Sequence, residues 1–213
     1  MQFLLCKFSF VSRVGVMTSQ ENRRITDLGT LKAISHPLRM RLYRALFVAR
    51  TATASQLADQ VDEAVSLVSY HLRKLADHGL IEEAENRSAD GRERWWQPAS
   101  DGFSVQEEDL KDAPELLAAS AALGRTLSEQ RADLHRRFLD ERLTWSSEWR
   151  AAALSSEWLP RFTAAELAAL GEELEAVLRK HDKKARAAEA AGDTEGRENV
   201  AVHLHGFPYR GVG

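Results

Sequence analysis

The chain has 213 residues and a formal net charge of -3, from 29 Lys and Arg against 32 Asp and Glu. That length suits one large domain or two small ones. The balance excludes a whole-chain basic binder of the histone kind but leaves room for a local basic face. The one cysteine, Cys6, excludes an internal disulfide and a thiolate-rich zinc site and fits a reducing cytoplasm.

Residues 1–24 read as an N-terminal arm. The opening MQFLLCKFSFVSRVGV is partly apolar, but it lacks a positive n-region, Lys7 interrupts it, and no small-residue cleavage site follows. Met17 is a second candidate start. No stretch approaches the roughly eighteen apolar residues of a membrane span.

Residues 25–100 mix short helical patterns with two strand-like pieces. Ile25 to Ile34 is expected as a first helix, interrupted by Ser35-His36-Pro37, because proline suits the first turn of a new helix. Leu38 to Val48 follows, with Leu38, Leu42, Ala45 and Leu46 on one face. Thr53 and Gln56 have capping-box spacing and open a short helix, Ala54 to Gln60, with Leu57, Ala58 and Val61 facing inward. Asp62 or Ala64 begins the next helix. It runs to about His78 and stops at Gly79, which can take positive φ.

That last helix divides cleanly. Val65, Val68, Leu72 and Leu75 form an apolar stripe, and Ser66, Ser69, Tyr70, Arg73 and Lys74 lie opposite. A short helix, a tight turn and a second helix so divided is the pattern of a helix-turn-helix. The second helix suits a DNA major groove, where hydroxyls and long cations reach phosphates and base edges. Leu80 to Glu85 and Arg92 to Gln97 then read as strands joined through Asp90-Gly91, a hairpin-turn signal. They make a small wing carrying Arg87, Arg92 and Arg94, with Trp95 and Trp96 on opposite faces.

Residues 101–114 are polar, end in proline and read as a connector. Residues 115–213 read as a helical dimerisation or effector domain with a short terminal strand. A long helix is expected from Glu115 to about Trp158, with Leu127, Leu134, Phe138, Trp145 and Trp149 on one apolar face. The simplest partner for such a face is a second copy of the chain. The alternative is an aromatic pocket for a small-molecule effector at Trp145, Trp149 and Trp158. Thr163 and Glu166 form a second capping box, opening a helix with Leu167, Leu170, Leu174, Val177 and Leu178 on one side. Val200, Val202 and Leu204 alternate with Ala201, His203 and His205, as in an edge strand. Two histidines without further ligands do not make a metal site.

At SYHLRKLADHGLIE, residues 69–82, the sequence resembles the arsenical-resistance-regulator type of winged-helix repressor. ISHPLRMRLYRAL, SQLADQV and GRERWW resemble that family's preceding helices and wing. The resemblance covers about residues 25–100. It implies a mainly α fold with a small β wing, and a homodimer on double-stranded DNA with a palindromic operator, usually a repressor. It makes Ser66, Ser69, Tyr70, His71, Arg73 and Lys74 candidate DNA contacts, with Arg87, Arg92 and Arg94 as wing contacts. The metal-sensing members carry a cysteine pair in the positioning helix; residues 54–61 here have none, which speaks against a metal-sensor role.

Two residue sets have competing readings. His71 either contacts DNA or packs between helices. Arg39, Arg41 and Arg44 either approach phosphates or form ordinary charged surface. Acidic residues crowd the same region, namely Asp59, Asp62, Glu63, Asp77, Glu82, Glu83 and Glu85, and would repel phosphate on a binding face. They motivate a second function class, a winged-helix protein-interaction module that does not bind DNA. No glycine-rich phosphate loop, Gly-x-Ser-x-Gly elbow or His-Glu-x-x-His run is present, so an enzyme is not expected, and no cofactor is called for.

Overall fold

A computed structural model describes residues 23–84, 93–106, 109 and 113–211. The arm at 1–22 and the hairpin tip at 85–92, with Arg87 and Arg92, lie outside the described residues.

Helix α1 (Leu28–Ile34) starts where Asp27 can cap it. The Asp27 carboxylate accepts from the Thr30 N–H at 2.8 Å, and that bond holds its pKa below the usual value. The helix does not reach back to Ile25 as expected. The Ile25 N–H instead donates to the Ser104 carbonyl at 2.9 Å. This bond continues the parallel pairing of β1 (Arg23–Arg24) with β5 (Phe103–Ser104).

Helix α2 (Pro37–Ala49) opens on its proline and buries Leu38, Met40, Leu42, Tyr43, Leu46 and Phe47. A short strand, β2 (Ala52–Thr53), leads into α3 (Ala54–Val61). The expected capping box is in place: the Gln56 N–H donates to Thr53 Oγ1 at 3.3 Å, and the Thr53 N–H to Gln56 Oε1 at 3.0 Å. Asp62 does not open the next helix. It closes α3 in the left-handed region at φ 53°, its N–H bonded to the Ala58 carbonyl. Ala64 precedes α4 (Val65–Asp77), which ends at His78 and Gly79.

Gly79 has φ +60°, and a Cβ there would come within 2.8 Å of the Arg23 guanidinium, which donates to the His78 carbonyl. The backbone angle calls for glycine.

Strands β3 (Ile81–Glu83) and β4 (Trp95–Pro98) pair antiparallel, with Glu83 opposite Trp96. Strand β4 also pairs with β2, making a three-stranded sheet in the order β2-β4-β3. The polar stretch expected as a connector contains buried Phe103 and Val105. Two apolar residues in a polar run are too few to print a strand period, and their strand is made by its partner β1.

Helix α5 (Pro114–Asp140) continues the chain. The fold divides into two compact units, residues 1–129 and 130–213, and the division falls within α5. In the first unit, Leu123 and Leu127 join a core of α1 to α4 residues, and the Thr126 hydroxyl donates to the Ser35 carbonyl at 3.3 Å.

The second unit holds the end of α5, a 3-10 turn at Arg142–Thr144, α6 (Ser147–Ala152) and α7 (Ala164–Ala190). The helix expected to run unbroken to Trp158 is interrupted after Asp140. Ser146 caps a new start by accepting from the Trp149 N–H at 3.3 Å, and serine favours such a cap over a helix interior. Trp145 and Trp149 still meet, edge to face with centroids 6.4 Å apart. The Thr163–Glu166 capping box opens α7 as expected. Residues 199–204 form no strand, although their side chains alternate. A strand needs a neighbouring backbone to pair with, and the ordered elements of this unit are helices.

Candidate nucleic-acid interface

Helix α4 is fixed to the first unit by one face. Val68, His71, Leu72 and Leu75 are buried there. Val65, expected in the stripe, is 46% exposed. It occupies the first turn, which projects beyond the core. Its neighbours Ser66, Leu67 and Tyr70 are exposed too, as is Arg73 one turn further on, while Ser69 and Lys74 are half-buried. Ser66, Ser69, Tyr70, Arg73 and Lys74 therefore lie off the packed face. The helix is 13 residues long and has the exposed first turns that a groove-reading helix presents.

His71 is placed differently. It is 6% exposed, with its ring stacked at a tilt on His36, centroids 4.7 Å apart, and edge-on to Tyr70 at 5.2 Å. Burial first, then the neighbouring His36 and Arg39, lowers its pKa; Glu63 pulls the other way. The packing alternative accounts for this geometry.

Two of the α2 arginines, Arg39 and Arg41, reach neighbouring helices. Arg39 donates to the Ala33 and Lys32 carbonyls in the last turn of α1. Arg41 donates to the Val61 carbonyl at the end of α3, with Glu63 4.0 Å away. Both cations satisfy carbonyls at helix C-termini, where the helix dipole favours positive charge. Sequence spacing gave no sign of this, since the bonds join different elements.

An open groove runs between α4 and the sheet. Its charged lining is evenly divided: Arg73, Lys74 and Arg94 against Asp77, Glu82 and Glu83. Lys74 pairs with Asp77 at 3.2 Å, and Arg94 pairs with Glu83 at 2.9 Å. Arg94 also lies over the Trp96 ring at 5.6 Å. Glu82 accepts from the Gln97 amide at 2.8 Å. Arg73 bends back along its own helix to the Ser69 carbonyl at 3.2 Å. Of the wing arginines, Arg94 alone lies among the described residues. It belongs to the approach to β4, on the groove wall. Asp77 and Glu83 were legible only as part of an acidic crowd; their individual cation partners were not.

Among the described residues, no group of three or more His, Cys, Asp or Glu is placed to hold a metal ion, and no helix is long and apolar enough to cross a membrane.

The fold is a winged helix-turn-helix. A family model described as a helix-turn-helix domain matches residues 34–84, which span α2 to β3. The match reaches this general type and not the narrower arsenical-resistance-regulator type that the sequence resembles. A solved structure of a MarR family transcription regulator is 19% identical over 76% of this chain and 81% of its own, with a TM-score of 0.30. No match is found among curated proteins. A helix-turn-helix is a supersecondary motif widely used as a binding module, and the matched segment is similar to it.

Proposed function

We propose that the chain is a dimeric transcriptional regulator that binds double-stranded DNA by laying α4 in the major groove. The observation that carries this reading is the division of α4. Val68, Leu72 and Leu75 anchor it, while Ser66, Tyr70 and Arg73 stand free of the packed face. Ser66, Ser69, Tyr70, Arg73 and Lys74 are the proposed contacts, with Arg94, Arg87 and Arg92 on the wing side. His71 acts beneath them as a packing group that sets the seat of the helix, rather than as a contact.

Dimerisation belongs to residues 130–213. None of the described residues there is buried, and large apolar side chains are exposed throughout, including Leu143, Leu154, Trp158, Leu174 and Val177. That much exposed apolar surface marks an interaction face, and a second copy is the partner that also supplies a second recognition helix. Two such helices about 34 Å apart would read a palindromic operator. Repression by occupying the operator in the cytoplasm, with release by a signal acting on the dimer, completes the reading. Trp158 is exposed, while Trp145 and Trp149 are half-buried against each other; these aromatics leave a small-molecule effector as one form of that signal.

Footprinting across the gene's own upstream DNA tests the proposal. Two protected half-sites one helical turn apart are expected, and no protection at low salt would count against it. The pairing of Lys74 and Arg94 with carboxylates favours a second reading, a winged-helix module that binds protein. That reading predicts no DNA binding at any salt concentration.

A further inference from the structure

We infer that Asp77 and Glu83 act as internal competitors for DNA phosphate, holding the groove's cations in reserve so that its sequence-independent affinity is low. The inference rests on the DNA-binding reading above and adds a regulation of the same groove.

Three observations lead to it. First, Lys74 and Arg94 face one groove from its two walls, and each already has a carboxylate partner, Asp77 at 3.2 Å and Glu83 at 2.9 Å. Second, the helix dipole does not explain Asp77, whose pair with Lys74 three residues back is a weak one along the same helix. It is the last residue of α4, where the helix dipole disfavours an anion. Third, all four side chains are substantially exposed, between 45% and 58%. Exposed pairs of this kind are weak, on the order of 0 to 1 kcal/mol, so a phosphate can displace the carboxylate.

The consequence is an exchange of partners rather than a simple gain. When Lys74 or Arg94 turns to a phosphate, a DNA counterion is released, but the carboxylate left behind gathers a cation from solution. Net ion release is then smaller than the number of phosphate contacts. Binding to arbitrary DNA derives nearly all its strength from that release, so it is held down. Contacts that need no ion exchange, from Ser66, Ser69 and Tyr70, carry correspondingly more of the binding.

The test uses the full-length protein and a random-sequence DNA duplex, so no operator need be known. Fluorescence anisotropy gives the affinity at several salt concentrations for the wild type, Asp77→Asn, Glu83→Gln and the double variant. Glu172→Gln, an exposed change on α7, controls for net charge. Each amide in the groove is expected to tighten binding about threefold at low salt and to steepen the salt slope by up to ~0.9. The control should do neither. Wild-type binding with no gain over the control overturns this inference and leaves the DNA-binding reading standing. No binding by any form at low salt overturns both. Circular dichroism and urea midpoints matching the wild type ensure that a null result is not misfolding.

Discussion

Thr53 and Thr163 open their helices with the same reciprocal pair of hydrogen bonds to a residue at the third helical position. One cap is 3% exposed, set beside a core of Leu42, Leu46, Leu57 and Leu72. The other stands in a unit where none of the described residues is buried. Local sequence signals thus act alike in both halves of the molecule, while packing does not. In the first unit the core decides how firmly each element is held. In the second, a helix such as α7 has its caps, but none of its residues is buried, and Leu170, Leu174 and Val177 on its apolar face are exposed.

The contrast is sharpened most by truncation in the core. Leu72→Ala is expected to destabilise the first unit by about 2–5 kcal/mol, read as a lower urea midpoint. A loss under 1 kcal/mol would mean that α4 is not anchored as described. The matching change on α7 works through association. Leu174→Asp together with Val177→Asp should shift the protein from dimer to monomer in sedimentation velocity, with the first unit's urea midpoint preserved. A dimer that survives both charges places the interface elsewhere.

The two caps come next. Thr53→Ala should cost about 1–2 kcal/mol and Thr163→Ala about half that or less, since solvent can replace an exposed cap. Equal costs would erase the distinction between the units.

A smaller effect concerns pH. The folded pKa of His71 lies below its ordinary value, because burial and the neighbouring His36 and Arg39 disfavour the imidazolium. His36 is lowered as well, by burial and then Arg39. Above the ordinary pKa of 6.5 both states are neutral and stability is unaffected by this pair. As pH falls through 6.5 the unfolded chain binds protons first, so stability declines until the lower folded value is passed. Urea midpoints between about pH 7.5 and pH 5 should fall for the wild type and flatten for His71→Leu. Parallel curves would remove the histidine pair from the account. The least consequential change is Arg136→Ala. It breaks an exposed pair with Asp133 at 2.6 Å and should cost no more than about 0.5 kcal/mol.

The sequence carries the first unit's helices well because their signals are local. Pro37, the Thr53–Gln56 box and Gly79 each mark a boundary that the fold uses. What escapes it is whatever depends on a distant partner. The strand at Phe103–Ser104 exists through β1, and the roles of Arg39 and Arg41 exist through carbonyls on other helices. The long apolar spacing from Leu127 to Trp149 is real in the sequence, but the helix that would carry it stops at Asp140 and a new one starts only after the Ser146 cap. For the candidate interface, the outward positions of Ser66, Tyr70 and Arg73 follow from helical spacing alone. The buried seat of His71 and the pairing of Lys74 and Arg94 require the packed neighbours.

The central claim is that α4 binds DNA through its outward face. The most direct measurement is the affinity of the full-length protein for duplex DNA at low salt, compared with Arg73→Glu combined with Lys74→Glu. Wild-type binding that is abolished in the double variant, with unchanged secondary structure and oligomeric state, is the expected result. Equal binding by both proteins, or none by the wild type, would contradict it.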